Sequence, residues 1–280
     1  MTRTFGRLPW LLAGALVLSA PSAASADLLD PSVDGNSLSI KIRLPLDVGA
    51  DLTVRFEQIV GLSLENLGLS VRLLDTLDLQ ELQSRMPSSL VSVTSALPLL
   101  VTIEPPASGG LSFSGPVSIE LYTHNLNYLP GSPLRLFSAP LGGAFADVTE
   151  TNSGGSYRVR GHKGDFSELV IVSDLRAVDL VAGAKFSRLR DRLAAHGTAI
   201  EPGVYAELVA ILDEAEAAYL EGDTVGAISA IEVFAETVGE HGGSGVPNVW
   251  RSARDLANAD GELRAVAATL RFSLLLKANS

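Results

Sequence analysis

The sequence contains no cysteine. That absence excludes disulfide staples, thiol nucleophiles, Cys-ligated zinc, iron–sulfur clusters and covalently attached haem. The fold must rest on burial of apolar surface, and an apolar content of 46% supplies the material. Positive charge is also short, with 21 Lys and Arg against 32 Asp and Glu, a net of −11. Such a balance repels nucleic acid and anionic lipid as principal partners. Histidine is scarce: His124, His162, His196 and His241 include no H-x-H or H-E-x-x-H spacing, so neither a metal nor any other cofactor is expected. His162, His196 and His241 each adjoin a glycine, which places them on solvated loops or helix ends. No G-x-S-x-G elbow and no G-x-x-x-x-G-K-[ST] phosphate loop is present.

Long apolar runs are missing as well, except at the N-terminus. There, Arg3 and Arg7 precede the apolar stretch Leu8–Ala20, Pro21 breaks it, and Ala24-Ser25-Ala26 offers small residues. Residues 1–26 therefore read as a secretory signal peptide cut between Ala26 and Asp27. The apolar stretch is shorter than the roughly 20 residues a membrane helix needs. No transmembrane span is expected after signal removal, and the protein is expected to be exported, periplasmic or secreted.

The remaining chain changes period near residue 175. Up to that point short alternating runs dominate, as in Ser37–Leu44, where Leu38, Ile40, Ile42 and Leu44 alternate with polar residues. Similar runs occupy 52–56, 70–74, 99–103, 117–122, 134–137, 157–160 and 169–172. Gly- and Pro-rich turns such as Asp34-Gly35-Asn36 and Pro130-Gly131 punctuate them. This pattern predicts an N-terminal antiparallel β-sandwich over 27–174, with one short helix at Asp78–Arg85. From 175 to 280 the apolar spacing becomes helical. Phe186, Leu189 and Leu193 mark a first helix, Val204 to Tyr219 a second, and Val225 to Val238 a third. A last helical stretch is expected to run from Trp250 through Leu256 to Leu274, capped by Asn248, with Gly261 able to split it. The fold class is thus α+β, β then α, with a C-terminal helical bundle packed on the sandwich.

Chemistry-bearing clusters are few. Tyr122, His124, Asn125, Asn127 and Tyr128 group rings and amides that could form a ligand-binding surface, or else a strand end entering a turn. Trp250 could bind a partner, or seat the last helix on the bundle or the sandwich. Asp30, Asp34 and Asn36 fail the EF-hand spacing and read as a turn. Glu104 and Glu120 could sit on neighbouring strands as a carboxylate pair, although sequence does not fix their separation.

The helical half resembles the FIMAH domain, a module appended to many secreted bacterial hydrolases. Phe186-x2-Leu189-x2-Arg192-Leu193 and the hairpin AEAAYLEGDTVGAISAIEVFAETV at 215–238 carry the likeness. The segment at 246–274 departs from that module. The whole chain is similar to a family of exported bacterial proteins of unknown function, through LTVRFEQIVGLSLENLGLS (52–70), the 124–143 stretch and VPNVWRSARDL. The resemblance implies a two-part exported protein and supplies no activity.

The resulting expectation is a non-catalytic binding or assembly protein at the bacterial cell envelope, with an unidentified protein or glycan partner. The alternative is a secreted hydrolase whose active site is dispersed between the two parts. Export makes one prediction at once. When the full chain is expressed in a secreting bacterial host, N-terminal sequencing of the exported product should read from Asp27. An intact Met1 N-terminus on that product would overturn the signal-peptide reading.

Overall fold

The computed structural model describes residues 29–279, so the cleavage site expected at Ala26 and Asp27 lies outside the described residues. The chain opens as a hairpin of β1 (Leu29–Asp34) and β2 (Ser37–Arg43), followed by β3 (Gly49–Val60). Gly35 turns the hairpin at φ +54°, a conformation that favours glycine, so Asp34-Gly35-Asn36 is a turn. A short helix α1 (Leu64–Leu67), β4 (Leu69–Leu73), α2 (Thr76–Ser84), β5 (Val91–Val93) and β6 (Leu99–Ile103) come next. The strand series ends with β7 (Ser112–Thr123), β8 (Leu134–Ala139), β9 (Ala146–Asp147), β10 (Thr149–Ser153), β11 (Tyr157–Lys163) and β12 (Glu168–Asp174). Helices α3 (Val178–His196), α4 (Pro202–Leu220) and α5 (Thr224–Glu240) follow. A three-residue strand β13 (Val249–Arg251) then precedes α6 (Ala259–Ala278).

The strands form two antiparallel sheets. One has the order β1-β2-β3-β7-β11-β10 with β13 alongside β7; the other has β4-β6-β12-β8-β9 with β5 alongside β12. Strict alternation explains the stacking. Leu38, Ile40 and Ile42 of β2 and Leu52, Val54 and Phe56 of β3 share one core with Leu99, Val101, Leu136, Leu169 and Ile171 of the opposite sheet. The outer face of the second sheet buries Leu100, Phe137 and Val170 with Leu82 of α2. The fold is α+β, antiparallel sheets first and helices after.

Helices α4, α5 and α6 start where the sequence supplies a cap, whereas α3 begins after Ala177 without a side-chain cap. Glu201 accepts from the Val204 amide ahead of α4, Asp223 from Gly226 ahead of α5, and Asn258 from Gly261 ahead of α6. Pro202 fits the first turn of α4. Phe186, Leu189, Leu208, Leu212, Ile231, Phe234, Leu263 and Leu270 form the core among the four helices. Helix α6 also lies against β7, β10 and β11, so the helices rest on the outer face of the first sheet.

The expected last helix differs from the observed one. Trp250 lies in β13, paired with Phe113 of β7, and its ring stacks on Phe113 at 5.2 Å and meets Phe166 edge-on at 5.1 Å. Only 7% exposed, it seats the returning chain on the sandwich. The helix begins nine residues later, capped by Asn258 and not by Asn248, and Gly261 sits in its first turn without splitting it. Val225 is 70% exposed and belongs to no core. Glu120 lies on β7 of the first sheet, held by Arg158 and Arg160, while Glu104 follows the end of β6 and pairs with Arg254, so the two are not on neighbouring strands.

The helices are tied to the sheets by a buried charge. Lys185 of α3, 4% exposed, places its Nζ 2.6 Å from Asp147 Oδ2 at the end of β9. It also donates to Thr269 Oγ1 at 2.7 Å and to Ser273 Oγ at 2.9 Å, both on α6. Burial by itself would raise the Asp147 carboxyl. The Lys185 charge and the hydrogen bonds from Lys185 and Thr149 outweigh it and hold that carboxyl below its usual value.

Removing either partner leaves the other charged and dry. Lys185→Met should lower the unfolding free energy measured in urea by about 3–5 kcal/mol, while a Lys185→Met/Asp147→Leu double variant should lose much less. Because the Asp147 pKa is depressed in the folded state, its contribution is present above the unfolded carboxyl value of about 3.9 and is lost as pH falls through the lower folded value. Equal stability of the wild type and Lys185→Met at neutral pH would refute the role of the pair.

Candidate functional site

A cleft of about 280 Å3 opens where the sandwich meets the helices. Helical spacing builds one wall: Arg188 and Arg192 follow at i and i+4 along a face of α3 that also carries Lys185 and His196. Lys185 lies outside the cleft lining, buried and paired with Asp147. Glu262, Ala265, Val266 and Thr269 of α6 form a second wall. Pro140, Ala144 and Phe145 from the β8–β9 connection and Lys163–Asp165 after β11 complete it.

Two glycines permit this meeting. Gly115 sits in β7 at φ +71°, where the register with β3 shifts and Pro116 interrupts the ladder. Its carbonyl is thereby released to accept Asn258 Nδ2 at 2.8 Å. Gly164 lies directly against the start of α6, and Asn258 Nδ2 reaches its carbonyl at 3.2 Å. One capping side chain therefore holds the helix and two sheet turns together.

The floor is polar. On β11, Tyr157 and Val159 face the sandwich core, and the same alternation turns Lys163 inward where that core opens to the cleft. On β8, Leu134, Leu136 and Ser138 share the inward face. Lys163 Nζ lies 2.7 Å from Ser138 Oγ and 2.6 Å from Ser167 Oγ, and the two hydroxyl oxygens are 2.6 Å apart. Asp165 Oδ1 lies 3.1 Å from the same ammonium. Burial pushes the Lys163 pKa below the ordinary lysine value, against the opposing pull of Asp165.

Arginines occupy the upper part of the cleft. Glu262 Oε2 receives Arg192 at 3.3 Å and His196 Nε2 at 3.2 Å. Arg188 has no hydrogen-bond or ion-pair partner among the described residues. Burial, and then the adjacent Arg192 charge, press its pKa down from the usual arginine value. An arginine remains charged even so, which leaves a desolvated guanidinium facing open space. Chemically, this arrangement suits an anion with an apolar body. Among the described residues no group of three or more His, Asp or Glu is placed to hold a metal ion.

The residues singled out by sequence lie elsewhere. Tyr122, His124 and Asn125 line a groove at the far end of the first sheet, together with Lys41, Arg43 and Asp51. Asn125 is engaged in structure there, accepting from the Gly49 amide at 2.9 Å and donating to the Asp47 carbonyl at 2.9 Å. Tyr122 meets His124 edge-on, Tyr128 packs on the sandwich core and Asn127 is exposed beside it. The structure does not gather the five on one surface. His162 lies on β11 rather than in a loop, borders the cleft and has its Nδ1 2.8 Å from Glu150, while His196 stands at the C-terminal end of α3 with its Nε2 3.2 Å from Glu262.

The cleft residues were not marked by any motif. Two weak signals were available in retrospect. Lys163 continues the inward register of Tyr157 and Val159, and four basic residues recur on one face of an otherwise acidic protein's helix. Neither reveals that α3 and the end of β11 adjoin.

Gly164 offers a test of how the cleft is held. A Cβ there would lie 2.3 Å from the Glu262 amide nitrogen and 2.7 Å from the Gly261 carbonyl carbon, both backbone atoms that cannot rotate away. Gly164→Ala should therefore cost about 1–3 kcal/mol in urea unfolding by forcing α6 off the sheet. Wild-type stability in that variant would show that the contact is loose.

No curated protein and no solved structure matches the chain. Among the described residues no helix is long and apolar enough to cross a membrane. A family model does match, over residues 12–278 and so across both sheets and all the helices described; the chain belongs to DUF6689, a family of unknown function.

Proposed function

We propose that the protein is an exported binding protein of the bacterial cell envelope that captures a small organic anion between its sandwich and its helices. The observation that carries this reading is Arg188, a charged side chain in the cleft with no hydrogen-bond or ion-pair partner among the described residues, although Asp165 and Glu262 lie near enough to act on its charge. A guanidinium presents paired donors that match a carboxylate, and Pro140, Phe145 and Val266 offer apolar contact for the rest of the ligand. The ligand class is a carboxylate on a compact apolar body, free or as the acidic end of an envelope protein or glycan. Support for export comes from the order of Arg3, Arg7, Leu8–Ala20 and Ala24–Ala26. The FIMAH-like hairpin at 215–238 fits the same setting, since such modules accompany secreted proteins.

Local charge here opposes the global balance. A net of −11 discourages anions at a distance, yet α3 concentrates its cations in one enclosed place. Binding should therefore depend on Arg188 and weaken only modestly with salt, because a partly buried pair is poorly screened.

Isothermal titration calorimetry with acetate, butyrate, benzoate and inorganic phosphate tests the reading. Benzoate or butyrate should bind more tightly than acetate, and Arg188→Met should weaken binding by about tenfold or more, the value of one charge-assisted contact. No heat from any of these anions with folded protein, or equal affinity in Arg188→Met, would refute it.

A further inference from the structure

Binding leaves one part of the cleft unexplained. Its floor brings together two serine hydroxyls and a lysine, each nearly dry: Ser138 and Ser167 are 3% exposed and Lys163 is 8% exposed. Elsewhere the fold shows how it buries a lysine for structure alone. Lys185 faces a buried carboxylate and the hydroxyls of a packed helix, away from open space. Lys163 differs in both respects. Its carboxylate, Asp165, is 43% exposed and 3.1 Å away, and its closest partners are the hydroxyls of Ser138 and Ser167. Ser138 and Lys163 both border the cleft, whereas Ser167 lies behind them.

We propose that Ser138 is a nucleophile, with Lys163 as its base and Ser167 as proton relay, acting on esters or amides that carry a carboxylate seated on Arg188. This goes beyond binding by adding a reaction: the nucleophile, base and relay stand on residues other than Arg188, and the substrate's carboxylate rests on the binding reading. A serine hydroxyl is a weak nucleophile until a neighbouring base takes its proton, and lysine fills that role where burial favours its neutral form. The three-way contact supplies that geometry, at hydrogen-bond distances throughout.

The step balances without any further reagent. Neutral Lys163 takes the Ser138 proton, directly or through Ser167, as the Ser138 oxygen forms a bond to the substrate's carbonyl carbon. The carbonyl electron pair moves to oxygen and returns as the bond to the leaving alcohol or amine breaks. The leaving group departs with the proton held by the Lys163 ammonium. Water then attacks the acyl-serine, gives its proton to Lys163, and Ser138 regains a proton as the carboxylic acid leaves. Nothing is oxidised or reduced.

The probe is an uncharged alkyl fluorophosphonate, read by intact mass and peptide mapping on the folded protein. One adduct is expected, on Ser138, absent in Ser138→Ala and slowed about tenfold or more in Ser167→Ala, within the usual value of a proton-transfer partner. The labelling rate should rise with pH to a plateau whose midpoint lies below the ordinary lysine value of about 10.4. Ser167→Ala keeps the test sound if a Lys163 variant fails to fold, because it removes only one hydroxyl. No adduct anywhere between about pH 6 and pH 10, or an adduct confined to another residue, overturns the proposal. The probe carries no charge and so reads Ser138 independently of Arg188. Labelling without anion binding would sink the binding reading and with it the carboxylate requirement on the substrate but not the nucleophile, and anion binding without labelling would sink the nucleophile alone.

Discussion

The seating of four helices on an antiparallel sandwich depends on one buried ion pair. Lys185 reaches from α3 to Asp147 at the end of β9, and its remaining donors fall on Thr269 and Ser273 of α6. A lone charge in that position would be costly, so neither α3 nor the β9 end can sit elsewhere without exposing or stranding it. Apolar contact alone would tolerate sliding of one part over the other. A charge on α3 with directional partners on two other elements does not, and it fixes how α3, α6 and the end of β9 meet.

A cleft is a consequence of that seating. With α3 fixed at Lys185, the next two turns carry Arg188 and Arg192 outward along the same face, and α6 brings Glu262 opposite them. Asn258 completes the frame by capping α6 with its oxygen and gripping the Gly115 and Gly164 carbonyls with its nitrogen. The protein has thus gathered its scarce positive charge at the junction while remaining acidic as a whole. Arg188 and the Ser138–Lys163–Ser167 group lie within one enclosed space, which is why binding and chemistry can be tested separately at the same site.

Much of the architecture was legible from periodicity. Alternation in Ser37–Leu44 and 99–103 follows from a two-residue repeat that any half-buried strand must show, and the Gly222-Asp223 turn between two apolar helical stripes is equally local. The failures were also local in origin. Val249–Arg251 is too short to display a period, and its strand pairing exists only because Phe113 and Phe166 offer a surface for Trp250. Asn258 and Asn248 are alike as caps, and only the position of β13 decides between them. Of the aromatic and amide residues near 122, Tyr122, His124 and Asn125 line one groove, and the hydrogen bonds of Asn125 to Gly49 and Asp47 fit the turn that the sequence also offered.

By itself the sequence determined the order of sheets and helices, the exclusion of thiol and Cys-metal chemistry, and an acidic surface, because composition and period act over a few residues at a time. The tertiary structure alone decided where function could reside. Ser138, Lys163 with Ser167, Arg188 and Glu262 come from four separate stretches of chain, and no local pattern encodes the meeting of those stretches. Their meeting follows from how α3 and α6 dock on β7 and β11, a long-range packing decision fixed by a buried charge and two close glycine contacts.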